Sequence, residues 1–104
     1  MGPGNTITPL HYDLKNVILA QMFGKKKVYL ISPQDTWCVY NVRGGYSEVD
    51  PERPELSAYP LFAKASVFTV DLDAGDGLFI PVRWWHHVRA LSPSISLSLS
   101  NFTR

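Results

Sequence analysis

The chain has 104 residues, 45% of them hydrophobic and 18% charged, which gives room for one domain with one core and lies far from the composition of disordered chains. Ten Lys and Arg against nine Asp and Glu leave a net charge of +1, so no long-range field draws nucleic acid or a membrane surface. A single cysteine, Cys38, excludes an internal disulfide, and neither a secretory leader nor an apolar run near membrane-spanning length is present, so a cytoplasmic or nuclear protein is expected.

After the turn-forming "MGPGN", short apolar or alternating runs dominate, broken by eight prolines and seven glycines. The predicted strands are Thr6–Asp13, Val17–Met22, Lys26–Ser32, Ser66–Leu72, Gly77–Ile80, His86–Leu91 and Ser94–Phe102, which makes an all-β sandwich or barrel. In the first strand, His11 and Asp13 are two residues apart and project to the same side, where they can grip one ion together. Thr8 has the opposite parity and reaches that side only if Pro9 disturbs the pleat. In the third, Lys26 shares a face with Val28 and Leu30, which favours an inward position, although "GKKK" at a turn otherwise reads as a solvated charge cluster.

The segment Ser32–Lys64 is long and proline-rich, a kind of connection that usually serves function. Within it Asp50 before Pro51, followed by Glu52 and Glu55, predicts a short helix or helical turn. Further on, "GDGLFIPVRWWHHVRAL" reads as a turn, a short strand ending in proline, and a strand entered through two histidines. On that strand His86 keeps company with Val88 and Ala90 and is expected to point inward, whereas His87 falls with Arg89 and is expected to be exposed or to sit behind the site. Trp84 and Trp85 are read as packing residues. In "SISLSLSNF", Ile95, Leu97, Leu99 and Asn101 share one face and the serines the other, so the apolar row is expected to be buried and to carry Asn101 to the barrel mouth.

Two imidazoles and one carboxylate form the facial set that leaves coordination positions open on an octahedral ion, whereas a structural zinc site wants four ligands, usually with thiolates. The blocks "GNTITPLHYD", "AQMFGKKKVYLISPQD", "SEVDPERPELSAYPLFAKA", "AGDGLFIPVRWWHHV" and "SLSNF" resemble the JmjC/cupin-8 family of Fe(II)/2-oxoglutarate-dependent oxygenases, and within it most the asparaginyl hydroxylase that inhibits the hypoxia-inducible factor. The resemblance implies a double-stranded β-helix (jelly roll) with a long, partly helical insertion. It implies His11, Asp13 and His86 as iron ligands, Lys26 and Thr8 on the distal carboxylate of 2-oxoglutarate, and Asn101 approaching the same cosubstrate. Partners would be 2-oxoglutarate, dioxygen and a prime substrate of protein or other nature.

The chain departs from the family pattern in three ways. It begins close to the His-Asp motif, so residues 1–104 are read as a single core domain lacking N-terminal elements of longer members. The family asparagine after the motif aligns with Val17, beside Asn16, and the ending "NFTR" stands where family members continue differently. A missing first strand would leave an open edge suited to a homodimer. The competing reading is a metal- or partner-binding cupin core without turnover; a zinc hydrolase is disfavoured because no Glu lies near the His-Asp motif to act as base.

Overall fold

The computed structural model describes residues 6–101, apart from the side chains of Arg43 and Asn101. Its strands in chain order are β1 (Ile7–His11), β2 (Asn16–Phe23), β3 (Lys26–Ile31), β4 (Asn41–Arg43), β5 (Tyr46–Ser47), β6 (Val67–Leu72), β7 (Gly77–Ile80), β8 (Trp85–Ala90) and β9 (Ile95–Asn101). They pair antiparallel into a six-stranded sheet of order β4-β5-β1-β8-β3-β6 and a three-stranded sheet of order β7-β2-β9. Successive strands pass between the sheets at β1 to β2, β2 to β3, β6 to β7, β7 to β8 and β8 to β9, the winding of a double-stranded β-helix.

Alternation along the strands sends side chains into two separate cores. Inward from the large sheet, Val28, Leu72 and Val88 are buried against Leu19 and Leu78 of the small sheet. Outward from the large sheet, Leu10, Ile31 and Trp85 are buried beneath Val39, Val49 and Phe62 of the long 32–64 segment. That segment is therefore a cover on the back of the sheet. It is built from a 3₁₀ helix at Pro33–Cys38 capped by the Ser32 hydroxyl, the β4–β5 hairpin, and a second 3₁₀ helix at Pro60–Lys64.

The turn chemistry at Asp50 is present, with its carboxylate accepting from Glu52 N at 2.9 Å and its carbonyl from Arg53 N at 3.2 Å. The segment closes as one turn and no helix propagates. Pro54 accounts for this, because it disfavours helical backbone at Arg53 and donates no hydrogen bond of its own. The β4–β5 hairpin, not among the predicted strands, turns on Gly44, which has φ 55°, and Gly45.

The last strand corrects the sequence expectation. Ile95, Leu97 and Leu99 are exposed on the outer face of the small sheet, while the serines face inward. Ser96 donates to the amide oxygen of the fully buried Gln21, whose Nε2 donates to the carbonyls of Phe23 and Gly24 at 3.0 and 3.1 Å. The inner row of β9 is polar because it borders a cavity.

Trp85 is fully buried, meets Tyr12 edge-on at 4.9 Å and donates its indole N–H to the Thr36 hydroxyl at 3.0 Å. Trp85→Ala is expected to cost about 3–5 kcal/mol in urea unfolding, whereas the exposed Trp37→Ala changes stability by less than about 1 kcal/mol.

Candidate metal centre

β1 and β8 pair through Thr8↔Val88 and His11↔His86, so two residues of β1, Pro9 and Leu10, oppose the single residue His87. This is a bulge at the proline, where a missing N–H costs no ladder bond. The extra residue shifts parity, and Thr8 comes to the same inner face as His11. The chain leaves β1 after His11, yet Asp13 stays on the inner side because its carbonyl accepts from Arg83 N at 2.9 Å and Tyr12 N donates to Gly45 O at 2.8 Å. Gly45 is required for that approach: a Cβ there would lie 2.5 Å from the Tyr12 carbonyl oxygen.

His11, Asp13 and His86 converge. His86 Nε2 lies 3.4 Å and His11 Nε2 3.8 Å from Asp13 Oδ2, and the two rings are 4.2 Å apart between centroids. Each imidazole is oriented by its other nitrogen, His11 Nδ1 donating to Pro9 O at 2.8 Å and His86 Nδ1 to Trp84 O at 3.0 Å. A carbonyl only accepts, so Nδ1 is the donor in both rings and both Nε2 atoms face the carboxylate. Burial, and next the neighbouring His11, lower the His86 pKa, against the opposing pull of Trp84 O and Asp13. The neutral form, the one that binds metal, is favoured. These three residues can hold a metal ion, and their orientation by backbone carbonyls is the support such ligands need.

The group borders a cavity of about 210 Å³ between the sheets, lined also by Thr8, Lys26 and Val88 from the large sheet and by Val17, Leu19, Ile80 and Ser98 from the small one. Lys26 thus takes the inward position expected of it, and burial lowers its pKa. The backbone of Asn101 pairs with Asn16, and its side chain lies outside the described residues. Ser98 of the same strand lines the cavity. Asn16 is structural, since its Oδ1 accepts from Val82 N at 2.8 Å and holds the turn that leads into β8.

Three side chains surround the site. His87, expected to be exposed or to sit behind the site, takes the second of those places and is buried, and Glu52 is the reason: its carboxylate accepts from His87 Nε2 and from Arg89 Nε, each at 2.6 Å. Glu52 thereby grips the outer face of the strand whose inner face presents His86. The third is Tyr46, placed opposite His11 by β5, exposed, with its ring 6.0 Å from the imidazole. The Gly-Gly dipeptide of "VRGGYS" was the available signal for that hairpin.

The fold is a cupin-type barrel, and the site within it is one that could hold a metal ion. The sequence matches the cupin-like domain over residues 1–101, and the chain belongs to this JmjC-related family. It is 37% identical over 102 residues to Jumonji C domain-containing protein 5 of Drosophila melanogaster, covering 94% of this chain and 25% of that one. It is 42% identical over 101 residues to lysine-specific demethylase 8 of Danio rerio (93% and 25%) and 47% identical over 79 residues to the human tRNA wybutosine-synthesizing protein 5 (75% and 25%). The chain spans about a quarter of the length of these curated relatives. Among solved structures, a point variant of the oxalate decarboxylase of Bacillus subtilis superposes with TM-score 0.55 at 18% identity, over 92% of this chain and 18% of that one, a likeness of fold. The relatives support the JmjC family broadly and do not single out its asparaginyl hydroxylase.

Two measurements follow from this geometry. Asp13→Ala is expected to weaken Co(II) binding by at least about 100-fold in an anaerobic titration, with the far-UV circular dichroism unchanged. For Glu52, burial raises the pKa, but hydrogen bonds and charge from His87 and Arg89 outweigh it and the net shift is downward from 4.5. Its contribution to stability is therefore full above about pH 4.5 and is lost as pH falls through the lower folded-state value. Glu52→Gln should remove about 1–3 kcal/mol at neutral pH and flatten that acid limb of the stability profile.

Proposed function

We propose that this chain is the core of an Fe(II)- and 2-oxoglutarate-dependent oxygenase, a hydroxylase acting on a protein side chain or another substrate presented at the Tyr46 side of the cavity. The observation that carries this reading is the convergence of two imidazole Nε2 atoms and one carboxylate on one point beside a cavity. Such a facial set binds a six-coordinate ion through three positions and leaves the others for small ligands. When bound, the iron supplies, with 2-oxoglutarate and dioxygen, the oxidising power for hydroxylation.

The remaining residues support a dicarboxylate beside the ion. In the ladders, Lys26 lies opposite Ala90 and His86 opposite Leu30, so the two side chains are four residues apart along the sheet, about 13 Å at strand rise. A lysine stem covers on the order of 6 Å of that span, which leaves a gap matching the length of a five-carbon dicarboxylate. Lys26 would pair its far carboxylate with a charge-assisted bond, and Thr8, level with Val88, would donate to the same group. Val17, Leu19 and Ile80 give the cavity an apolar wall beside that pairing, which strengthens it. The volume, below the roughly 300–1,000 Å³ of larger ligand sites, suits a molecule of this size. Hydroxylation of an asparagine side chain, the chemistry of the hydroxylase that the sequence resembles, is one form this activity would take.

A second reading, a metal-binding core without turnover, is favoured by one observation: Ser98 is exposed, so the cavity is open to solvent along β9. One experiment separates the two. Anaerobic addition of 2-oxoglutarate to the Fe(II)-loaded chain should produce a visible metal-to-ligand charge-transfer band, and air should then yield succinate. Lys26→Ala should raise the 2-oxoglutarate concentration needed for the band by about 10–100-fold without changing iron affinity. Bound iron with no band at saturating 2-oxoglutarate would establish the inert core.

A further inference from the structure

We propose that Arg83 is a positioning residue for the metal centre: seated on the Tyr12 ring, its guanidinium locks the turn that holds both Asp13 and His86. The inference rests on the reading of His11, Asp13 and His86 as metal ligands. Among the described residues other than glycine, φ is positive at Tyr40 and Arg83, and at Arg83 it is 70°. Trp84 N donates to Pro81 O at 3.2 Å, so residues 81–84 form a turn with Arg83 as its third residue, the place where a type II turn takes Gly or Asn. A side chain with a Cβ is strained there, and strain of this kind persists only where the surrounding structure over-determines it.

Bonds from this one turn reach both ligand-bearing segments. Val82 N donates to Asn16 Oδ1 at 2.8 Å, Arg83 N donates to Asp13 O at 2.9 Å, and Trp84 O accepts from His86 Nδ1 at 3.0 Å. Asp13 needs such support, because it lies beyond the end of β1 and takes no part in the ladder with β8. The Arg83 side chain holds the turn against that segment: its guanidinium carbon lies 5.9 Å from the centre of the Tyr12 ring, within cation–π range. Tyr12 is itself fixed, by the edge-on indole of Trp85 at 4.9 Å and by its own N–H to Gly45 O at 2.8 Å. It stands between His11 and Asp13 in the chain, so the contact ties the turn to the backbone that carries both. Glycine at position 83 would relieve the strain and lose this tie. Arginine gives up stability and gains ligand geometry.

Co(II) affinity and the Tm of the metal-free chain, measured side by side on Arg83→Gly, Arg83→Ala and Arg83→Lys, test the proposal. Arg83→Gly is expected to weaken Co(II) binding about 5-fold, the size of one cation–π contact, while Tm stays at or above the wild-type value. Arg83→Ala keeps the strain and loses the contact, so it is expected to weaken binding about equally and to lower Tm by about 2–6 °C. Arg83→Lys, which returns a cation to the ring, is expected to bind within about 2-fold of wild type. A residue serving stability alone would move affinity and Tm together. Wild-type affinity in Arg83→Gly, a Tm that falls with affinity in that variant, or an Arg83→Lys no better than Arg83→Ala would each overturn the proposal. Asp13→Ala separates the two readings: if it leaves Co(II) affinity unchanged, the metal-centre reading fails and this proposal with it, whereas a weak Asp13→Ala beside a tight Arg83→Gly overturns this proposal alone.

Discussion

The structure depends on the pairing of β1 with β8 through a bulge at Pro9. Without the extra residue, Thr8 would sit on the back of the sheet, and the pocket would lose its hydroxyl at the level of Val88. With it, residues from both ends of the chain share one inner face: Thr8, His11 and Asp13 from the start, His86 from near the end, and Lys26 from the neighbouring β3. Side chains from elements so distant in sequence meet only if the register is fixed, and register in a sheet is fixed where both faces are constrained.

Both faces of β8 are constrained. Its inner residues, His86 and Val88, are held by the cavity and the inter-sheet core, and its outer residues, Trp85, His87 and Arg89, by the cover segment. A slip of one residue would bring Trp85 into the cavity and take His86 from Asp13. The energy that keeps the imidazole in place therefore comes largely from the far side of the strand, through burial of Trp85 and the Glu52 carboxylate shared between His87 and Arg89. Fold stability and site geometry are here one property.

Much of this was legible in the sequence, and the failures have physical causes. The two-residue spacing of His11 and Asp13 and the apolar company of His86 pointed to one face, and the three do converge there; alternation accounts for His11 and His86, whereas Asp13 lies past the end of β1 and is kept inward by the loop's backbone bonds. Thr8 needed the bulge, at which Pro9 only hinted. The cover segment hid the β4–β5 hairpin, since runs of two and three residues carry no period; only Gly44 and Gly45 marked it. His87 was left between exposure and a place behind the site, because its partner Glu52 lies 35 residues away in sequence, on a turn that alternation cannot see. The last strand was read with its faces exchanged. The rule that an apolar row is buried presumes that the interior is oily, whereas here the inner row of β9 borders a polar cavity and Gln21, and its leucines lie on the outside of the sheet.

The chemistry proposed for this barrel requires His11, Asp13 and His86 to share one cation while the rest of its coordination sphere is free of protein. Anomalous diffraction from crystals grown with Mn(II) tests this most directly. One ion is expected within about 2.0–2.3 Å of His11 Nε2, His86 Nε2 and an Asp13 oxygen, with no fourth protein ligand. An ion bound elsewhere, or a sphere closed by a further protein side chain, would contradict it.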